Sequence, residues 1–384
     1  MRRVWLALCF ALLTACAQTP PAEVRGTCDL GLIVERASGR VVVVDTTAKR
    51  ALGAVEGLGD LSHASVVFGR DGRYAYVFGR DGGLTKVDLL TQRIVKRVIQ
   101  AGNSIGGAIS QDGRLVVAQN YEPGGIKVFD AETLELLSEV PAGAKDVGLA
   151  DLPGQKFAYA LFEKGEIWLT DLTDPRHPHT QKFPAGQQPY DGLVTPDGRY
   201  YLAGLFGEDG VALLDTWRPE LGVRKILENY GKGEEKLPVF KMPHLRGWAV
   251  AGEHVYLPAI GRHEVLVVDR RDWREVARIP VKSQPVFVMA RPDGRQVWVN
   301  FAHPDNGWVQ VIDTLSGKVV ETLQPGKAIL HMEFTPRGGE VWLSARDDHR
   351  VIVLDTQRYA RLAELPAKSP SGIFFTSRAA RTGF

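Results

Sequence analysis

Three histidines, His63, His244 and His331, stand at matching places where apolar runs of the chain begin, and Lys145, Asp191 and Arg246 fill the same slots in neighbouring runs. Imidazole ligates iron, and the planar guanidinium pairs carboxylates through two parallel hydrogen bonds. A cationic, imidazole-bearing funnel of this kind suits a large planar ligand that carries carboxylates. A lone histidine on a strand is more often structural than ligating. Convergence of His63 with His244 sets these two apart, whereas His331 is equally well explained as a backbone partner in the funnel wall.

An internal repeat defines the slots. A Val/Leu-rich run ending in aspartate recurs at Asp45, Asp88, Asp130, Asp171, Asp215, Asp269, Asp313 and Asp355, at spacings of 43, 42, 41, 44, 54, 44 and 42 residues. Ahead of four of these runs lies an Asp-Gly-Arg turn, beginning at Asp71, Asp112, Asp197 and Asp293. Glycine accepts the turn dihedrals and aspartate caps locally, so these carboxylates are geometry and not catalysis. Units of about 40–45 residues holding four short strands mean a β-propeller. The chain is therefore predicted to be all-β, an eight-bladed β-propeller over 28–384. Its first unit lacks a leading strand, which the C-terminal Ser371-Gly372-Ile373-Phe374-Phe375-Thr376 supplies. Joining N- and C-terminal strands in one blade closes the ring and removes an exposed edge.

In such a blade, the entry to the innermost strand and the hairpin between the second and third strands open on one face. Counting eight residues back from the aspartate of the Asp-Gly turn gives His63, Ser104, Lys145, Pro189, His244, Pro285 and Ile329. Counting six back gives Ser65, Gly106, Val147, Asp191, Arg246, Phe287 and His331, with Gly372 from the C-terminal strand. Side chains two apart share a strand face, so both rows are expected to face the funnel. The hairpins add Arg80, Tyr121, Glu122, Arg262, His263, His303, Asp305, Arg346 and His349. Arg80 and Arg246 are equally explicable as solvated or ion-paired rim residues, and His177, His179 and His254 read as surface-turn residues. The long spacing marks an insertion around 227–243, and loops longer than their siblings are often lids.

Composition excludes several function classes. A net charge of +2 on 384 residues carries no nucleic-acid footprint. The 41 glycines and 22 prolines, spread along the chain, suit many short strands joined by turns. Residues 1–15 read as a targeting segment: Arg2-Arg3, an apolar run from Val4 to Leu13 too short to span a bilayer, then Leu13-Thr14-Ala15-Cys16. That ending resembles the bacterial lipobox, which implies lipidation of Cys16, a tether over 16–27, and a periplasmic protein held at the membrane. Ala17 after the cysteine implies the outer membrane. Of the other two cysteines, Cys9 leaves with the signal and Cys28 remains a single thiol, so no disulfide framework forms within the chain. No Cys-x-x-Cys-His occurs, so no c-type haem is expected.

The segment from Gly57 to Leu89, with His63, Gly72-Arg73-Tyr74 and Phe78-Gly79-Arg80-Asp81, resembles the first blades of the d1-haem domain of cytochrome cd1 nitrite reductase. Pro243-His244-Leu245-Arg246-Gly247-Trp248 is similar to that family's segment carrying a distal-side histidine. The resemblance implies non-covalent d1 haem or a late precursor as cofactor, His63 as ligand to the haem iron and Arg80 as a contact to the macrocycle, while Lys145 and His331, from the funnel rows, are expected to be further binding residues. His244 and Arg246 are then the candidates for chemistry on a tetrapyrrole side chain. It also implies cytochrome cd1 nitrite reductase and other d1-haem maturation proteins as partners. The chain departs from the reductase pattern: Leu245-Arg246 replaces an Asp-Gly pair, and Ser283-Gln284-Pro285-Val286-Phe287 lacks a second distal histidine. With no electron-entry haem either, nitrite reduction itself is not expected. An oxidoreductase or lyase acting on a precursor, a non-catalytic haem carrier, a propeller hydrolase and a protein-docking propeller remain open.

Overall fold

The computed structural model describes residues 26–230, 247–259 and 262–383. Eight four-stranded antiparallel sheets stand round a central channel as an eight-bladed β-propeller. Blade 1 combines Pro370–Phe375 as innermost strand with Leu30–Glu35, Arg40–Asp45 and Arg50–Val55. Blade 2 runs Ser65–Phe68, Tyr74–Phe78, Gly83–Asp88 and Arg93–Ile99. Innermost strands Asn103–Ile109, Asp146–Leu152, Pro189–Val194, Ala249–Ala251, Pro285–Ala290 and Ile329–Phe334 open blades 3 to 8.

The recurring aspartates end the third strands, and each lies opposite the first residue of its second strand, as in Tyr74↔Asp88 and Gln296↔Asp313. Their carboxylates accept backbone N–H bonds from the turn that follows: Leu90 and Thr91 to Asp88, Thr173 to Asp171, Ser316 to Asp313. A short acceptor at this point satisfies donors that the turn takes out of the ladder. The aspartates of the Asp-Gly turns act likewise, with Arg73, Arg114, Arg199 and Arg295 N–H groups donating to Asp71, Asp112, Asp197 and Asp293. The repeat in the sequence is thus a repeat of turn chemistry.

Packing between blades supplies the core. Trp298 and Trp342, on second strands, are fully buried, and Trp342 meets Phe375 edge-on at 5.3 Å across the junction of blades 8 and 1. Such an aromatic pair adds roughly 0.5–1.5 kcal/mol beyond its buried area. The closing strand pairs Phe374 with Leu32 and Ile373 with Ile33. Beyond it, Thr376 Oγ1 donates to the Thr27 and Leu30 carbonyls at 2.6 and 2.9 Å, and the Arg378 guanidinium forms a buried ion pair with Glu333. Both chain ends are therefore fastened into one blade.

Two local expectations differ. Tyr121 and Glu122 end a strand, Leu115–Glu122, instead of lying in the hairpin loop. The pairing of the innermost strand slips in blades 3, 4, 5, 7 and 8, between Ser104 and Gly106, Val147 and Ala150, Tyr190 and Leu193, Pro285 and Val288, and Ile329 and Met332. A bulge of this kind changes which residues face the channel. The insertion around 227–243 falls largely outside the described residues.

Candidate functional site

Second-to-third hairpins and innermost-strand entries of blades 7, 8, 1 and 2 enclose most of a cavity of about 520 Å³ at one mouth of the channel. That is within the usual range for small-molecule sites. His63 lines it from the loop just before Ser65–Phe68, and His331 from the strand Ile329–Phe334. His303, Arg346 and Arg36 reach it from hairpins, and Val66, Phe287 and Phe374 supply apolar walls. Of the two rows read from the sequence, His63, Ser65, Phe287, Ile329, His331 and Gly372 line this cavity. In blades 3 and 4 the lining residues are Gly107 and Leu149 instead of Gly106 and Val147.

His331 is set by its surroundings. Its Nδ1 accepts the Ile373 backbone N–H at 3.2 Å, its own backbone N–H donates to Ser344 Oγ, and its ring lies 5.4 Å from Phe374 and 6.4 Å from Phe287. Burial, with the Arg378 charge nearby, pushes its pKa down to about 3. Accepting at Nδ1 assigns the proton of the neutral ring to Nε2. An imidazole in that tautomer donates a hydrogen bond; a metal ligand must offer a bare nitrogen.

At the mouth, burial and the neighbouring Arg346 lower the pKa of Arg36. Arg346 is bonded to Asp347 at 2.6 Å, while Arg36 forms no ion pair among the described residues. Two close guanidiniums, of which Arg36 feels the Asp60 charge without forming an ion pair, make a cationic rim suited to an anion. Deeper, Ser65 Oγ and Gln284 Oε1 line the cavity and are buried without a hydrogen-bond partner among the described residues. Such orphaned atoms are costly unless something in the cavity meets them.

Lys145 and Arg80 stand outside the cavity lining. Lys145 precedes Asp146–Leu152, is exposed, pairs with Glu163 at 3.0 Å and lies over the Phe162 ring at 5.6 Å. The backbone of Arg80 is bound to Asp60 and Ser104. Both flank a second group at the same mouth, in which the Tyr121 and Tyr190 hydroxyls meet at 3.0 Å and Tyr190 packs on Phe162 and Phe206. Cys16, His244 and Arg246 lie outside the described residues.

Sequence reasoning missed Arg36, Gln284 and Arg378 in the lining. Arg36 occupies the hairpin slot of blade 1, where the rule that found Arg80 and Arg346 applies equally. Arg378 follows the last repeat, and no periodic signal reaches it.

An eight-bladed propeller with histidines and arginines lining one cavity at its mouth is the class of protein that the fold and site define. Residues 25–379 match the model described as "Cytochrome D1 heme domain". The chain belongs to that family. It is 59% identical over 385 residues to Protein NirF of Pseudomonas aeruginosa, covering 98% of both chains. With Protein NirF of Stutzerimonas stutzeri the identity is 57% over 392 residues, covering both chains fully. Among solved structures, dihydro-heme d1 dehydrogenase NirN in complex with DHE superposes with a TM-score of 0.80 at 23% identity, over 95% of this chain and 79% of that one. This last likeness speaks for the fold.

Proposed function

We propose that the protein acts in d1-haem biogenesis, holding d1 haem or its late precursor non-covalently in the cavity at the channel mouth. The observation that carries this reading is the joint lining of one cavity by His63, His331, Arg36 and Arg346, in a chain of the d1-haem domain family. The residues fit such a group: apolar walls suit the faces of a macrocycle, the unpaired Arg36 suits a carboxylate, and Ser65 and Gln284 await polar partners. When bound, the haem iron would supply the redox chemistry.

In this reading His63 ligates the iron, because the bond from Ile373 to His331 Nδ1 leaves His331 as a donor. His331 hydrogen-bonds the ligand from Nε2 and stays uncharged at neutral pH. Arg36 and Arg346 orient the macrocycle through its carboxylates. Arg80 and Lys145 extend the cationic rim, and His244 and Arg246 act on a side chain of the bound tetrapyrrole. Lipidation of Cys16 holds the protein at the periplasmic side of the outer membrane, where the cofactor passes to cytochrome cd1 nitrite reductase.

Absorption titration with d1 haem tests the reading. Wild type is expected to bind at micromolar concentration or better, and His63→Ala to lose or alter the iron-ligation bands. Absence of binding by the wild type, or an unchanged spectrum for the variant, overturns it. Incubation with the precursor followed by product analysis separates the two roles: a changed side chain means an enzyme, and unchanged precursor handed to the reductase means a carrier.

A further inference from the structure

We propose that His303 meets the face of the bound tetrapyrrole that His63 does not and ligates the iron there, so that the metal is held between two imidazoles. The inference rests on the reading above, in which the cavity holds an iron tetrapyrrole with His63 on the iron.

The lining of the cavity decides which way a flat ligand can stand. Its main wall is an arc of adjoining blades, 7, 8, 1 and 2. His63 stands at one end of that arc, just before Ser65–Phe68 of blade 2. His303 stands at the other end, in the hairpin between Gln296–Phe301 and Val309–Asp313 of blade 7. The two guanidiniums lie between them, Arg36 on the hairpin of blade 1 and Arg346 on that of blade 8. Phe374 and His331 belong to the same two blades and form the wall there. A macrocycle whose carboxylates meet these arginines has its edge in the middle of the arc. Its faces then look toward the ends of the arc, one toward His63 and the other toward blade 7.

Blade 7 offers that face few donors. Phe287 is apolar, and the Asn300 amide is bonded at both atoms, Oδ1 accepting the Phe287 N–H and Nδ2 donating to the Ile329 carbonyl, each at 2.8 Å. Gln284 and Asn306 bring only amides. Imidazole suits iron, whereas amide carbonyls suit ions such as magnesium and calcium. Among the described residues of blade 7 that line the cavity, His303 alone carries a ring nitrogen, and its ring forms no hydrogen bond to another described residue. A neutral imidazole with a bare nitrogen is the form that binds a metal. His331 does not compete for this role, since the bond from Ile373 to Nδ1 leaves its proton on Nε2.

The hairpin under His303 is braced. The Ala302 N–H donates to the Gln284 carbonyl at 2.9 Å, the Trp308 N–H to Asp305 at 3.0 Å, and the Ile329 N–H of the next blade to Asn306 at 2.7 Å. The imidazole itself is exposed, while that of His63 is half-buried. A fixed backbone holds the ring at the ligand, and an open side chain makes His303 the bond that yields first when the cofactor leaves. Two imidazoles also leave the iron without an open position, which confines chemistry to the edge of the macrocycle.

The test loads the full chain, its histidines labelled with heavy nitrogen, with ferric d1 haem and counts imidazole nitrogens on the iron by pulsed electron paramagnetic resonance. Wild type is expected to show two and His303→Gly one, with two again once labelled free imidazole is added to that variant. His303→Gln, which fills the space of the ring, is expected to show one, and His331→Asn to keep both. Because the side chain is exposed, the unloaded His303 variants should melt with the wild type. A single imidazole in the wild type, or two in the His303 variants without added imidazole, overturns the inference and leaves the cavity reading in place. If the wild type takes up no d1 haem, that reading falls and the inference falls with it.

Discussion

The imidazole of His331 is kept neutral by burial and by a backbone donor on Nδ1, which gives it a measurable pH signature. Its folded pKa lies below the unfolded value near 6.5, so between those values the unfolded chain binds the extra proton. Stability is then full above about pH 6.5 and falls as the pH drops toward 3, by about 1.4 kcal/mol per unit through that window. Wild type is expected to lose about 2 kcal/mol more than His331→Asn between pH 6.5 and pH 5, measured by urea unfolding; equal losses would mean that the ring titrates normally. At Arg36 the prediction concerns the ligand. Arg36→Met is expected to weaken d1-haem binding about tenfold, the worth of one charge-assisted hydrogen bond. A tetrapyrrole with esterified carboxylates should bind both forms alike, and a tenfold gap with the ester as well would mean that Arg36 packs and does not pair.

At the scale of strands and turns, the closing segment combines edge pairing with a buried charge pair. Removing one partner, in Arg378→Met, leaves the buried Glu333 carboxylate with Arg381 as its remaining cationic neighbour and is expected to cost about 3 kcal/mol. Glu333→Leu combined with Arg378→Met should recover most of it, and urea midpoints for the two variants would show whether the pair or the packing matters. This end of the molecule also shows what was legible in the sequence. The aspartates that cap third-strand turns recur with the blade, so the number of blades and the closing strand could be read directly, and His63 and His331 fell into the right slots. Two things were not legible. In blades 3 and 4 the cavity is lined by Gly107 and Leu149, not by the Gly106 and Val147 that counting back from the Asp-Gly turn gives. Lys145 also had a local partner, Glu163, whose proximity depends on a hairpin in three dimensions. Arg36 was reachable, since blade 1 obeys the hairpin rule once its innermost strand is borrowed from the C-terminus.

The ring as a whole should respond to its ligand as one body, because each core cluster joins neighbouring blades, as Trp298 of blade 7 does with Phe334 and Leu343 of blade 8. At a ligand concentration a hundredfold above Kd, d1 haem is expected to stabilise the protein by about 2.7 kcal/mol, seen as an upward shift of a single thermal transition; two separate transitions would show that part of the ring unfolds independently. The blade built from both chain ends has a further consequence, for synthesis. Phe374 and Arg378, which line the cavity, and Phe375, which seals the last junction, follow every other strand of the ring along the chain. A nascent chain can therefore stack most of its blades in order, yet it holds an open seam and an incomplete cavity lining until this strand emerges. Chains ended before this strand would have neither a closed ring nor a complete pocket, so only molecules that contain it would compete for a scarce cofactor.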